Sequence, residues 1–327
     1  LTTNLFISHA ETYHRDTQVV SFDERGKKTR STWGEVGNRS KNLASALKSL
    51  GVMDGDILGT ISPNTINHLE LLYAISGCGA VAHTINPRLF PDEIVFIIND
   101  AKDKILFVDT AYLPFLIGHR HLIPSVDHMY IVGPKKNEVA AKMNGFKFLE
   151  DLYTGSFPKF AWPEIDENSA AVLCYTSGTT GNPKGVLYSH KSIVVHANMI
   201  SLPDYFGFSA TDCLMPVTPM FHVNAWGATY ASAMVGSKLV LPGPNVNASN
   251  LTKLINKEKV TVAIGIPTIW EELLSYLEKN NGNTESLKRI FAGGAKVPDW
   301  MISVFADKYD VKCVQAWGMT ETSPVGL

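Results

Sequence analysis

The sequence lacks the long apolar segments that mark membrane-spanning and secreted proteins. No uninterrupted apolar run comes near the roughly 18 residues that are needed to cross a bilayer. The first residues, LTTNLFISHAETY, have neither the basic start nor the apolar core of a signal peptide. Together these absences predict a cytoplasmic protein with no transmembrane segment.

Concentrated charge and paired cysteines are missing as well. The formal net charge is −2, and no run of Lys or Arg is long enough to form a surface for nucleic acid. The cysteines lie far apart and form neither C-x-x-C pairs nor a metal-binding spacing with the histidines, which predicts buried thiols in a reducing compartment. They are Cys78, Cys174, Cys213 and Cys313.

What the sequence does have is a regular alternation of strands and helices. QVVSFD alternates as a strand, and Thr32 begins a capping-box pattern before an amphipathic helix that ends near Leu50. Two arrays of apolar strands and helices follow, on either side of a break rich in Pro, Lys and Phe. This pattern predicts an α/β fold with two stacked αβ subdomains and largely parallel sheets, the first over residues 1–165 and the second over residues 166–327.

The most informative stretch is TSGTTGNPKG, residues 176–185, which lies between two apolar strand-like runs. Glycines without Cβ atoms let backbone N–H groups approach phosphate oxygens, and the hydroxyl side chains and Lys184 add further donors. The spacing fits neither G-x-x-x-x-G-K-[ST] nor G-x-G-x-x-G. The composition alone is compatible with an ordinary surface turn or with a loop that holds a triphosphate.

The string TSGTTGNPKG resembles the signature loop of the adenylate-forming superfamily, which includes the acyl-CoA synthetases. The resemblance implies the layered αβαβα N-terminal domain of these enzymes, with the second subdomain carrying the phosphate loop and the adenine motif. It also implies that the loop binds ATP or AMP and that Lys184 has a catalytic role. The loop residues predicted to bind nucleotide are Thr176, Ser177, Gly178, Thr179, Thr180, Gly181 and Lys184.

A second stretch, QAWGMTE, follows a predicted strand near the end of the chain. Its small residues would let a flat base approach the backbone, and Glu321 offers a hard oxygen ligand. It resembles the family motif that lies against adenine and the α-phosphate, which implies that Thr320 and Glu321 are catalytic and that Glu321 and Thr176 bind Mg²⁺. Gly293, Gly294 and Ala295 resemble the family's adenine-contacting turn, and the other predicted nucleotide contacts are Gln315, Ala316, Trp317, Gly318, Met319 and Thr320.

The third stretch, PMFHVNAW, resembles the aromatic-histidine motif of the fatty acyl-CoA synthetase branch. The resemblance implies a catalytic His222 near the acyl carbonyl and an acyl pocket formed by His222, Val223, Trp226 and Gly294. No Asp or Glu occurs between Asp212 and Glu258. A buried ammonium group would need such a partner, so this region favours an apolar acyl group over an amino acid.

The resemblance therefore predicts an ATP-dependent ligase that adenylates a medium- or long-chain fatty acid and transfers it to CoA, with Mg²⁺ as cofactor. Ligases for short or modified acids, such as a methylthioalkanoate or an aryl carboxylate, and a non-catalytic nucleotide-binding module are the alternatives. The family's C-terminal lid, with its catalytic lysine, has no counterpart before Leu327. We therefore expect this chain alone to bind nucleotide weakly and to turn over poorly, and the sequence leaves a homodimer open.

Overall fold

The computed structural model describes residues 1–135, 146–176 and 181–326. Alternating apolar runs form the strands, in chain order β1 (Gln18–Phe22), β2 (Lys28–Thr32), β3 (Ile57–Ile61), β4 (Val81–Thr84), β5 (Ile105–Asp109), β6 (His128–Val132), β7 (Phe146–Phe148), β8 (Ala170–Thr176), β9 (Lys184–Ser189), β10 (Cys213–Pro216), β11 (Lys238–Leu241), β12 (Val262–Gly265), β13 (Arg289–Ala292) and β14 (Lys312–Gln315).

The helices of the described residues are α1 (Asn4–Tyr13), α2 (Trp33–Ser49), α3 (Ile66–Gly77), α4 (Pro91–Ala101), α5 (Leu113–His119), α6 (Leu149–Thr154), α7 (His190–Ile200), α8 (Val223–Trp226), α9 (Ala228–Val235), α10 (Ala248–Glu258), α11 (Pro267–Lys279) and α12 (Asp299–Tyr309). The predicted capping box of α2 is present, because Thr32 Oγ1 accepts from Glu35 N while Glu35 Oε2 accepts from Thr32 N. Within the described ranges, no helix combines the length and the apolar character that a membrane span requires.

Two seven-stranded sheets form the frame of the molecule. Sheet one has the strand order β14-β13-β12-β10-β11-β1-β2, and sheet two has the order β7-β6-β5-β3-β4-β8-β9. All pairs are parallel except the edge hairpins β1–β2 and β8–β9. Parallel strands end at the same edge of a sheet, so the loops that follow them gather there and can form a site. The predicted α/β fold with two largely parallel sheets is confirmed.

The apolar core consists of layers because successive strand residues point to opposite faces. Leu214 faces the central core with helices α1, α2, α3, α7 and α9, whereas the next residue, Met215, faces a second core with α10, α11 and α12. In sheet two, Phe107 faces the central core and Leu106 faces a third core with α4 and α5. The order of layers is therefore αβαβα, as the resemblance to the adenylate-forming superfamily implied.

The two sheets do not divide the chain at residue 165, where the sequence analysis placed a boundary. Strands β1 and β2 come from the first part of the chain but belong to sheet one, where Val19 lies beside Leu239 of β11. Strands β8 and β9 follow the boundary but belong to sheet two. The order of elements along the chain does not state which strands pair, so the ranges 1–165 and 166–327 do not each contain one sheet. The predicted phosphate loop connects strands of sheet two, whereas the predicted adenine motif follows a strand of sheet one.

Candidate active site

The glycine-rich loop connects β8 to β9 as the turn of an antiparallel hairpin at the edge of sheet two. Thr176 lies opposite Lys184 at its base, and Thr176 Oγ1 donates to the Lys184 carbonyl oxygen at 3.4 Å. The side chain of Lys184 is exposed, with no ion-pair partner among the described residues. Gly181 has a φ of +149°, which favours glycine. The predicted contacts Ser177, Gly178, Thr179 and Thr180 lie outside the described residues.

The adenine motif follows β14 and lies against the loop that follows β13. Ala316 N donates to the Ala292 carbonyl oxygen at 2.8 Å, which continues the pairing of the two strands beyond their ends. A Cβ atom at Gly293 would come within 2.8 Å of the Ala316 carbonyl oxygen, and one at Gly318 within 2.0 Å of the Pro324 carbonyl oxygen. The two glycines therefore allow the backbone segments to pack closely and form one wall.

This wall encloses a cavity of about 170 Å³, which we call cavity 1. Its lining combines residues from the adenine motif, the aromatic-histidine motif and the loop after β13: His222, Val223, Trp226, Gly293, Gly294, Ala316, Trp317, Gly318, Met319, Thr320, Pro324 and Val325. All but Pro324 and Val325 were singled out from the sequence. Three motifs that are far apart in the chain thus meet around one space.

Tyr188 links the phosphate-loop hairpin to the adenine motif. It lies on β9, and its hydroxyl donates a hydrogen bond to the Thr320 carbonyl oxygen. Burial raises the pKa of Tyr188 far above its ordinary value, and the charges at Cys174 and Glu321 act in the same direction. Glu321 is exposed and has no ion-pair partner among the residues that the structure describes. The hairpin of sheet two and the carboxylate that follows sheet one are therefore neighbours.

His222 lies where cavity 1 meets a second space. Its ring is accessible to solvent, yet the surrounding protein desolvates it and lowers its pKa below the ordinary value, with the Arg88 guanidinium as a second cause. The ring is therefore neutral at neutral pH and can accept a hydrogen bond as well as donate one.

The segment after His222 is a turn of left-handed helix. Four successive residues other than glycine have positive φ, namely Val223 (38°), Asn224 (50°), Ala225 (58°) and Trp226 (54°), and Gly227 continues the turn at 78°. Each such residue costs about 1–2 kcal/mol relative to the right-handed form. Side-chain periodicity reports the spacing of residues but not the hand of the turn, so the sequence analysis did not predict this geometry.

Hydrogen bonds around Asn224 hold the left-handed turn in place. The Asn224 backbone N–H donates to the Met220 carbonyl oxygen at 2.8 Å, and its side-chain Nδ2 donates to the same oxygen at 3.1 Å. The Tyr230 hydroxyl donates to Asn224 Oδ1 at 2.9 Å, and Thr229 Oγ1 donates to the Asn224 carbonyl oxygen at 3.0 Å. Because Asn224 is buried, these bonds are shielded from water and can offset the strain.

A second cavity, of about 310 Å³, lies on the other side of His222 and Trp226, and we call it cavity 2. It forms where the carboxyl ends of β3 and β10 meet, so both sheets contribute to its wall. Its lining residues are Pro63, Asn64, Arg88, Tyr112, Val217, Thr218, Pro219, Phe221, His222, Trp226, Gly243, Pro244, Val246, Ile266, Ile269 and Gly294. Ile266 immediately precedes α11, and Ile269 lies in its first turn.

Asn64 fastens the two sheets together at cavity 2. Its Nδ2 donates to the carbonyl oxygens of Pro216 and Thr218, each at 2.9 Å, and its Oδ1 accepts from Met220 N at 2.8 Å. The residue is buried, with 3% of its surface exposed. One side chain from the end of β3 thus fixes the segment that leads from β10 to His222.

Of the described residues predicted to contact nucleotide, Thr176, Gly181, Lys184, Ala295 and Gln315 line neither cavity. Gln315 uses its side-chain oxygen to accept from Val297 N at 2.9 Å, which ties the end of β14 to the loop after β13. Ala295 lies in that loop but lines neither cavity. Within the predicted adenine motif, the Gln315 side chain therefore holds the backbone in place.

Sequence reasoning missed Tyr188, Asn64 and His196. Burial lowers the pKa of His196 to about 4, so its ring stays neutral, and its Nε2 accepts from Val325 N at 3.4 Å in the wall of cavity 1. Each of these side chains forms a hydrogen bond with a residue that is far away in the sequence, and none belongs to a recognised motif. Only the pairing of elements in the fold could have identified them.

Comparison with known proteins gives consistent matches along almost the whole chain. The model of the family described as "AMP-binding enzyme" matches residues 6–327. A 3-methylmercaptopropionyl-CoA ligase of Ruegeria lacuscaerulensis and a medium-chain-fatty-acid–CoA ligase of Ectopseudomonas oleovorans are each 47% identical over 320 residues, which is 98% of this chain and 59% of the relative. The chain therefore spans little more than half the length of these relatives.

Solved structures show the same fold. A long-chain-fatty-acid–CoA ligase from Archaeoglobus fulgidus superposes with a TM-score of 0.85 at 26% identity, over 99% of this chain and 65% of that one. The inhibitor-bound N-terminal domain of FACL13 from Mycobacterium tuberculosis also gives 0.85 at 26% identity, over 98% of this chain and 77% of that domain. The described residues thus have the architecture of an N-terminal domain in these proteins.

Proposed function

Because this chain belongs to the AMP-binding enzyme family, we propose that the natural protein is an ATP-dependent acid–thiol ligase. It joins a carboxylic acid to AMP, releases pyrophosphate, and then transfers the acyl group to CoA. The observation that carries the proposal is the hydrogen bond from Tyr188 to Thr320. Through it, the hairpin that carries the candidate phosphate loop contacts the stretch that lines cavity 1, next to the carboxylate of Glu321.

In the first step, a carboxylate oxygen of the acid attacks the α-phosphorus of ATP, and the bond to the oxygen of the leaving pyrophosphate breaks. In the second step, the thiol sulfur of CoA attacks the acyl carbon and AMP leaves. Catalysis of the first step depends mainly on positioning and charge stabilisation. The loop donors and Lys184 hold the terminal phosphates, and Trp317 with its small neighbours holds the base. Neither step requires a nucleophilic side chain.

The carboxylate of Glu321, which follows the cavity 1 residue Thr320, fits a Mg²⁺ ion that is bound together with ATP. Mg²⁺ usually takes one or two protein carboxylates and completes its shell with water and phosphate oxygens. Glu321 is an exposed carboxylate, and the described residues contain no group of three His, Cys, Asp or Glu side chains close enough to hold a metal ion by themselves. Glu321 and Thr176 are the proposed ligands. When bound, the ion would neutralise phosphate charge.

His222 stands at the junction of the two cavities and, in this proposal, contacts the carboxyl group of the acid. A neutral imidazole can donate a hydrogen bond to the carboxylate oxygen without fixing the acid in an ion pair. The lowered pKa of His222 supports this role because it keeps the ring neutral at neutral pH. The acyl chain then runs along Val223, Trp226 and Gly294.

We propose that the acyl substrate is a medium-chain fatty acid, and that long-chain fatty acids are the next best substrates. The mostly apolar lining of cavity 2 and the medium-chain relative at 47% identity support this choice. A second candidate is a short acid that carries a heteroatom, because a 3-methylmercaptopropionyl-CoA ligase is equally similar. Cytoplasmic location remains a prediction of the sequence alone, a homodimer remains open, and a non-catalytic nucleotide-binding module remains the alternative.

A panel of acids tests the proposal. The complete natural protein would be supplied with ATP, Mg²⁺, CoA and one acid at a time, and the acyl-CoA product would be measured by mass spectrometry. We expect acyl-CoA from linear acids of about six to twelve carbons. Activity confined to acids of fewer than about five carbons would favour the second candidate, and binding of ATP without any product would favour a non-catalytic module.

A further inference from the structure

Tyr175 lies at the base of the glycine-rich hairpin, directly before Thr176. The pairing of β8 with β4 reaches Leu173, whereas the pairing of β8 with β9 continues to Thr176. In the described part of the chain, residues 174–176 are therefore paired with β9 and not with β4. This end of the hairpin depends on side-chain contacts for a fixed position relative to the rest of sheet two.

The two faces of the hairpin carry different side chains. Successive strand residues point to opposite faces, so Thr176 and its partner Lys184 share a face with Tyr188, which contacts the adenine motif. Tyr175 points to the other face, as does its cross-strand partner Gly185. Tyr175 therefore supports the hairpin from the side opposite to the proposed phosphate and Mg²⁺ contacts.

The side chain of Tyr175 is held at its hydroxyl group and at its ring. The hydroxyl donates to Asp100 Oδ2, in the last turn of α4, at 2.6 Å. The ring centroid lies 5.1 Å from that of His83 on β4. A Cβ atom at Gly185 would come within 3.2 Å of Tyr175 Cζ, so glycine at this position gives the ring room beside β9. Tyr175 thus connects the end of the hairpin to α4 and β4.

The elements that Tyr175 contacts are themselves fixed by a buried pair. His83 Nδ1 and Asp103 Oδ2 are 2.8 Å apart, and neither side chain is exposed. Movement of either group would leave its partner unpaired in a buried environment, which is unfavourable. Because Asp103 follows α4 directly after its C-terminal end, this pair ties the helix to β4 near Asp100. Tyr175 is therefore attached to a rigid support.

We propose that Tyr175 is a positioning residue for ATP, because its hydrogen bond to Asp100 fixes the end of the hairpin that presents Thr176 and Lys184 to the phosphates. The bond is exposed, so each group can bond to water when the other is removed, and its loss should cost little stability. The freed hairpin end would then have to be ordered when ATP binds, which weakens binding. This inference rests on the proposed function and adds a residue that acts through the phosphate contacts.

The test measures acid-dependent pyrophosphate release by variants of the complete natural protein. Tyr175→Phe keeps the ring and should raise KM for ATP about fivefold, the size expected for the loss of one hydrogen bond, while KM for the acid at saturating ATP stays unchanged. Asp100→Ala should have the same effect, and the double variant should be no worse than either single variant, because both groups act through one bond. Asp100→Asn, which keeps an oxygen acceptor, should retain the wild-type KM.

Tyr153→Phe is the matched control, because Tyr153 also donates its hydroxyl to a carboxylate, that of Glu70, and neither residue lines cavity 1 or cavity 2. It should lower the melting temperature and leave KM for ATP unchanged, which separates lost stability from lost position. An unchanged KM for ATP in Tyr175→Phe, or additive effects in the double variant, would overturn the inference while acyl-CoA formation by the wild type upheld the proposed function. Failure of the wild type to activate any acid would overturn both.

Discussion

Cavities 1 and 2 share His222, Trp226 and Gly294 but are built in different ways. Cavity 1 is formed mainly by short motifs whose residues are close in sequence and follow neighbouring strands of sheet one. Cavity 2 takes its wall from both sheets and depends on Asn64 to hold them together. A sequence motif can therefore predict a surface that is formed by the residues of that motif. A surface formed by elements that are far apart in the chain is not marked by any single motif.

The largest effect should follow from Glu321→Gln, which tests cavity 1. If the carboxylate neutralises phosphate charge together with Mg²⁺, its loss should lower kcat for adenylation by about a hundredfold or more, in the range of other electrostatic groups. The measurement is acid-dependent pyrophosphate release at several Mg²⁺ concentrations. Glu272→Gln, at an exposed position on α11, is the control. Unchanged Mg²⁺ dependence in the Glu321 variant would remove this residue from the site.

Asn64→Ala tests the way cavity 2 is assembled. The substitution removes three buried hydrogen bonds and leaves backbone groups of Pro216, Thr218 and Met220 unpaired. We expect the free energy of unfolding to fall by about 2–4 kcal/mol, as measured by urea denaturation. Asn280→Ala, which removes an exposed amide at the end of α11, should change it by much less. Equal losses in the two variants would show that Asn64 does not hold the sheets together.

Tyr188→Phe tests the link between the phosphate-loop hairpin and cavity 1. Loss of the hydroxyl leaves the Thr320 carbonyl oxygen without this donor, which should cost about 1 kcal/mol of stability. Because Thr320 also lines cavity 1, KM for ATP should rise several-fold. Tyr276→Phe, on a helix away from the cavities, serves as the comparison for loss of a tyrosine hydroxyl. An unchanged KM for ATP in Tyr188→Phe would mean that the link has no functional role.

The smallest effect concerns the charge state of His222. Its pKa lies below the ordinary value because of desolvation and, second, the positive charge of Arg88. The neutral form should therefore persist to lower pH, so kcat/KM should fall only below about pH 6.5. Arg88→Met removes one cause of the shift and should move this acid limb to higher pH. If the acid limb of the kcat/KM profile lies at the same pH in Arg88→Met but is lost in His222→Gln, Arg88 does not lower the pKa of His222.

The sequence predicted much of the fold because each element carries its own signal. Thr32 and Glu35 begin α2 as the capping box requires, and β8 and β9 flank the glycine-rich loop as expected. Pairing of β1 with β11 could not be predicted, because it joins strands more than two hundred residues apart. The left-handed turn after His222 could not be predicted either, since its stability comes from contacts of the buried Asn224.

The same reasoning applies to the site. The motif residues of cavity 1 stood out because glycines, an aromatic ring and a carboxylate within a few positions have a common chemical purpose. Asn64 and Tyr188 belong to no recognisable motif. Their hydrogen bonds form only because the fold brings the two sheets together.

We predict that the complete natural protein forms an acyl-adenylate in these cavities. Exchange of labelled pyrophosphate into ATP reports that step alone, without CoA. We expect exchange only when a carboxylic acid and Mg²⁺ are both present, and we expect Glu321→Gln to reduce it by about a hundredfold or more. Absence of exchange with every acid tested, or exchange that is independent of the acid, would contradict the account.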